Sequence, residues 1–206
     1  PHSPTGKLML LEDVCRICHA AGERLVVLDE AYIHFSRTKG GISLLNEFDN
    51  LIVLRTFSKA FGLAGLRLGF GIGHPDMIRA MLALKPTWNI GQLHIAGGIA
   101  ALDDDTHVYR TVDMICKMRD YVADRLGCLK SFRMIPGSRS NFFMVEIIDP
   151  AQDSTGVFEA LLKRGVIVKD CSLSFRGLGK RYLRVDVSLK KHMDRFVDAL
   201  VELEGS

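Results

Sequence analysis

Apolar positions along the first half of the chain follow two rhythms. Leu8, Leu11, Val14, Cys15, Cys18 and Ala21 fall at three- and four-residue steps, which predicts an amphipathic helix ending near Gly22. Two short unbroken apolar runs follow, residues 25–28 and 51–54, and the second reads as a buried strand of a parallel sheet. Between them lie a polar, glycine-containing loop over 36–41 and a short helical turn over 43–48. Gly62, Gly65, Gly69, Gly71 and Gly73 punctuate a turn and a strand over 68–72, their glycines suited equally to a close ligand or to a neighbouring strand. His74-Pro75 then opens a helix over 75–84. Residues 91–102 are apolar almost throughout and predict a buried helix, with Asp103-Asp104-Asp105 as its solvated end. Val108, Val112, Ile115, Val122 and Leu126 predict a long helix over 106–126.

From Phe132 the pattern changes to short strands, over 132–135, 142–147, 166–169 and 182–187, interleaved with helices over 157–164 and 190–203. Strands and helices mixed in this way define an α/β protein. The expected architecture is a mainly parallel sheet with helices on both faces in residues 1–125, the last of them the long linking helix, and a small α/β sandwich domain in 126–206.

Composition narrows the function classes. With 48% hydrophobic and 25% charged residues, a chain of 206 residues buries a sizeable core. The net charge of +3 is small, and the basic residues are scattered rather than interleaved with aromatics, which argues against a nucleic-acid partner. No apolar stretch reaches the ~20 residues of a membrane span and no charged-then-apolar leader opens the sequence, so a soluble, cytoplasmic protein is expected. Five cysteines at irregular spacing predict reduced thiols rather than a disulfide scaffold. Cys15-Arg16-Ile17-Cys18-His19 fits a haem-attachment string, but both thiols fall on the apolar face of the first helix and no second ligand pair follows. The three adjacent aspartates point in different directions and make a charged turn; no metal site is expected.

The chemistry lies at the strand ends. The run at 51–54 leads into Thr56-Phe57-Ser58-Lys59-Ala60-Phe61-Gly62-Leu63-Ala64-Gly65-Leu66-Arg67, and the run at 25–28 ends in Asp29-Glu30-Ala31-Tyr32. Open α/β sheets place ligands at this edge. An acid, a phenol, a lysine and an arginine delivered together are what pyridoxal 5'-phosphate requires: an amine for its aldehyde, a carboxylate for its ring nitrogen, and a cation with hydroxyls for its phosphate.

These motifs, with Pro1-His2-Ser3-Pro4-Thr5-Gly6 before them and Tyr182-Leu183-Arg184-Val185 after, resemble in order those of class II aminotransferases of the fold-type I group, and most of all the histidinol-phosphate aminotransferases. The resemblance runs over essentially the whole chain. It implies a large-domain fragment plus a small domain, and a pyridoxal phosphate enzyme exchanging an amino group between an amino acid or amino-alcohol phosphate and a 2-oxo acid. Lys59 would be the catalytic lysine; Asp29, Tyr32, Ser58, Arg67 and Ser3 would contact the cofactor. Arg184 would pair with the substrate α-carboxylate, Lys169 would take a substrate phosphate, and a homodimer is implied. The first residues resemble the inside of a family motif, which implies an N-terminally truncated chain. Three departures stand out: Ser3 where the family has asparagine, Lys169 where phosphate-binding relatives have arginine, and the stretch Phe175-Arg176-Gly177-Leu178-Gly179, which also resembles threonine-phosphate decarboxylases. Decarboxylation, or an inactive fragment that needs a partner, are the alternatives.

Overall fold

In the computed structural model, which describes residues 1–205, the chain divides into two compact units. One takes Pro1 and Met9–Val112; the other takes His2–Leu8 and the chain from Asp113 onward. Among the described residues no helix is long and apolar enough to cross a membrane.

The first unit starts with α1 (Leu11–Ala21), stopped by Gly22 at φ 60, a conformation only glycine adopts without strain. Its Val14 and Cys18 pack with Leu44, Phe48, Leu51 and Val53 in one core cluster. The Asn50 side-chain amide donates to the carbonyls of Cys18 (3.0 Å) and Gly22 (2.7 Å), which satisfies orphan acceptors at the helix end. β1 (Val26–Asp29) and β2 (Leu51–Thr56) pair in parallel, Val26 opposite Leu51 and Asp29 opposite Leu54. β3 (Gly69–Gly73) returns antiparallel against β2, so the three-stranded sheet is mixed, in the order β1-β2-β3. Leu51, Ile52 and Val53 are fully enclosed, as the apolar run predicted, while β1 alternates and leaves Val27 exposed. A Cβ on Gly69, Gly71 or Gly73 would run into β2, so these three glycines serve strand packing.

Helices α2 (Pro75–Leu84) and α3 (Gln92–Asp103) follow. The expected burial of the second is overturned: within α3 only Gly98 is buried, and Leu93, Ile95, Ile99 and Leu102 face outward. The helix sits on its small residues instead. Gly97 and Gly98 lie so close to Leu66 and Leu68 that a Cβ on either would collide.

The chain passes between units within α4 (Asp105–Leu126). The second unit holds an antiparallel four-stranded sheet of β4 (Phe132–Met134), β5 (Phe142–Ile147), β6 (Lys169–Asp170) and β7 (Tyr182–Asp186), in the order β4-β5-β7-β6. The strand expected over 166–169 is thus confined to two residues, and the short α6 (Cys171–Ser174), capped by the Asp170 carboxylate, follows it directly. α5 (Ser154–Lys163) buries Val157 and Leu161; α7 (Lys190–Glu204) buries Met193, Phe196, Val197 and Leu200 at helical spacing. With Phe132, Phe142, Phe143, Ile147 and Leu183 they form this unit's core.

Candidate active site

Because β1 and β2 run parallel and in register, their C-terminal ends arrive side by side. Asp29 and Tyr32 leave one end; Ser58 and Lys59 leave the other. Lys59 Nζ stands over the Tyr32 ring, 5.3 Å from its centroid, and both residues are half-buried. Asp29 is exposed, and its Oδ1 accepts the Ala31 N–H at 2.9 Å, which turns the chain out of the strand. Thr56 Oγ1 accepts the Ser58 N–H (3.1 Å) and lies 3.0 Å from the Ser58 hydroxyl. Arg67, at φ 49 in the left-handed region, donates from Nη1 to Ser58 Oγ at 3.4 Å and to the Ala64 carbonyl at 3.0 Å. A hydroxyl, a guanidinium and an amine therefore meet in one loop. The Leu63 N–H closes that loop on the Phe57 carbonyl at 3.0 Å.

Directly behind this edge lie residues to which sequence reasoning assigned no role. Glu30 is 3% exposed, although it sits between exposed Asp29 and half-buried Tyr32. Its Oε2 receives Arg55 Nε at 3.0 Å and Nη2 at 2.8 Å, and its Oε1 receives the Gly41 N–H at 2.5 Å. The signal that could have found the pair is strand offset: each residue stands one step beyond the last registered pair, Asp29 with Leu54, and so on the same face. His34 packs edge-on to Phe61, ring centroids 5.1 Å apart. Burial, helped by the Arg55 charge, holds its imidazole below the usual histidine range, and its Nδ1 is buried without a hydrogen-bond partner among the described residues.

The remaining sequence-predicted residues belong to the second unit. On β7, Arg184 stands opposite Met144 of β5 and Lys169 of β6. Its guanidinium lies 4.7 Å from the Phe142 ring centroid, and it donates from Nη1 to Ser3 Oγ at 3.3 Å and from Nη2 to the Asp186 carboxylate at 3.1 Å. Arg184 and Asp186 share a face because they are two apart on a strand. Nε of Arg184 is buried with no partner among the described residues. Lys169 Nζ lies 5.2 Å from the Phe175 ring centroid, so two cations occupy neighbouring positions on adjacent strands. Ser3 is thereby brought together with Arg184, while Asp29, Tyr32, Ser58, Lys59 and Arg67 gather in the first unit.

Comparison with known proteins adds to this geometry. Residues 1–200 match the family model described as aminotransferase class I and II. A histidinol-phosphate aminotransferase of Methanocella arvoryzae is 36% identical over 206 residues, covering 100% of this chain and 55% of the relative. The crystal structure of a histidinol-phosphate aminotransferase from Clostridium acetobutylicum superposes with a TM-score of 0.92 at 23% identity, over 100% of this chain and 62% of that one, which is a likeness of fold. A histidinol-phosphate aminotransferase from Sinorhizobium meliloti, solved in complex with pyridoxal-5'-phosphate, gives 0.87 at 26% identity over 98% of this chain and 55% of its own. The chain spans about half the length of the curated relatives it matches. With the family model matched over nearly all of its residues, the chain belongs to the class I and II aminotransferases.

Proposed function

We propose that this chain carries the lysine-bearing portion of a pyridoxal-phosphate-dependent aminotransferase, exchanging an amino group between histidinol phosphate or a similar amino donor and a 2-oxo acid such as 2-oxoglutarate. The observation that carries the reading is the placement of Lys59 Nζ over Tyr32 at the sheet edge that also bears Asp29, Ser58 and Arg67. This donor set fits the cofactor in chemistry: an amine for the aldehyde, a carboxylate for the ring nitrogen, a phenol for the ring oxygen, and a hydroxyl beside a guanidinium for the phosphate. When bound, pyridoxal phosphate supplies a carbonyl that takes up the amino group and a ring that draws electrons from the substrate Cα.

The side chains do the rest. Lys59 would hold the cofactor through its Nζ and would be the base that moves the Cα proton. Asp29 keeps the ring nitrogen protonated, and Tyr32 donates to the ring oxygen. Ser58 and Arg67 grip the phosphate, and Ser3 is a further donor toward the cofactor. Arg184 offers the substrate α-carboxylate a two-pronged partner with its Nε otherwise unused, and Lys169 beside it attracts a substrate phosphate. The same reading keeps residues 1–125 as part of a large domain and 126–206 as a small domain, and carries a cytoplasmic homodimer with it. Decarboxylation of threonine phosphate has less support, since the curated relatives carry the aminotransferase name.

The test is covalent capture. Adding pyridoxal phosphate and then borohydride should leave a stable mass label on Lys59, and Lys59→Ala should abolish it. No label on the wild-type lysine would defeat the reading. Carbon dioxide release without amine transfer to 2-oxoglutarate would replace it with the decarboxylase.

A further inference from the structure

Strand ends are held by fewer ladder bonds than strand centres, so the relative position of two catalytic segments that leave such ends needs a fastening of its own. Here the last β1/β2 pair is Asp29 with Leu54, followed by one more backbone bond, Glu30 N–H to the Leu54 carbonyl at 2.8 Å. Beyond it, the two segments are linked through side chains, and the strongest of these links is an ion pair. Arg55 donates Nε–H and Nη2–H, one edge of its guanidinium, to one oxygen of Glu30, and its Nη2 also reaches the Lys39 carbonyl at 2.7 Å. The other Glu30 oxygen takes the Gly41 N–H. The turn at Gly40 and Gly41 is shaped round that carboxylate: Gly40 has φ +67, and a Cβ there would overlap Glu30 Oε1. Side-chain exposure is 4% for Glu30 and 15% for Arg55, so both charges are removed from water and neither can drift without leaving the other unpaired.

We propose that the Glu30–Arg55 ion pair is a positioning clasp, which holds the Asp29–Tyr32 segment against the Ser58–Lys59 segment and so sets Lys59 opposite Tyr32. Glu30 is one residue from Asp29 and two from Tyr32; Arg55 is three from Ser58 and four from Lys59. With Gly41 and Lys39 as further anchors, the clasp ties three chain segments to one buried carboxylate. Neither side chain touches a reacting atom, and the pair acts through the backbone that carries the residues that would. The relevance of the clasp to catalysis rests on the aminotransferase reading, whereas its mechanical role does not.

Two variants separate positioning from mere stability. Arg55→Lys keeps the charge and loses the fork. Glu30→Gln/Arg55→Met keeps an acceptor for Gly41 and replaces the buried charges by neutral groups of similar volume, a change that buried ion pairs commonly tolerate without loss of stability. In cofactor-free protein, hydrogen exchange should speed up about tenfold or more at both 29–36 and 56–63, with 142–147 in the other unit unchanged. In the presence of pyridoxal phosphate, the concentration for half-maximal borohydride label at Lys59 should rise by about tenfold or more, as displacement of a positioned group predicts. Unchanged exchange at the two segments, a loss spread evenly over both units, or an unchanged labelling midpoint in folded variants would each overturn the clasp. If wild-type protein takes no label at all, the aminotransferase reading falls, and the exchange pattern alone decides the clasp.

Discussion

Lys59 Nζ lies over the face of Tyr32, 5.3 Å from the ring centroid, although the two residues come from different strands. The ring's negative face stabilises the ammonium, an effect of about 0.5–1 kcal/mol at a partly exposed site, and its hydroxyl is a separate group. Tyr32→Phe retains the face and should leave borohydride labelling of Lys59 at saturating cofactor intact. Loss of a hydrogen bond to a charged oxygen, about 1.5–3 kcal/mol, should slow amine transfer roughly tenfold to a hundredfold. Full activity in Tyr32→Phe would remove the hydroxyl from the proposed roles.

Arg184 is held in place by Asp186, Ser3 and the Phe142 ring, so its guanidinium is oriented before any ligand arrives. Arg184→Lys keeps the charge but loses the planar fork, and KM for a donor that carries an α-carboxylate, such as glutamate, should rise about tenfold while kcat changes little. Donors without an α-carboxylate should be indifferent to the change. Steady-state kinetics on a carboxylated and a decarboxylated donor make the comparison.

His34 predicts an acid-sensitive component of stability. Burial first, and the Arg55 charge second, lower its pKa in the folded chain. The unfolded chain therefore binds that proton more readily, so stability rises with pH in this window. The contribution is intact above the unfolded histidine value of about 6.5 and is lost as pH falls below it toward the folded value. His34→Gln should show a flatter fall in Tm between about pH 6.5 and 5 than wild type. Parallel melting curves for the two proteins would exclude His34 as the source.

Among the thiols, Cys171 is buried, and burial pushes its pKa up to about 11, whereas Cys128 is exposed. A maleimide at pH 8 should label Cys128 in the native chain and reach Cys171 only after unfolding, since the thiolate is the reactive form. Peptide mapping of the labelled sites before and after denaturant checks the order.

Much of this architecture is legible in single residues. The steps from Leu11 to Cys18 marked α1, and the apolar run from Leu51 into a lysine marked both β2 and the loop that follows it. The run at 91–102 gave the helix but not its surroundings: apolar composition shows what could be buried, not what lies against it, and Gly97 and Gly98 proved to be the contacting face. Glu30 was harder to read. Adjacent carboxylates at a strand end carry no mark of which way each one turns: Asp29 accepts the Ala31 N–H in a local turn, whereas Glu30 turns inward to Arg55.

Local pattern thus determined most of the elements, the family motifs and the position of Lys59 just past a strand, because helical and strand periods and turn chemistry depend on residues a few positions apart. Tertiary structure alone decided which side chains meet: Lys59 with Tyr32, Glu30 with Arg55, Ser3 with Arg184. Those pairings depend on strand register and on segments far apart in sequence, and no short-range pattern carries that information.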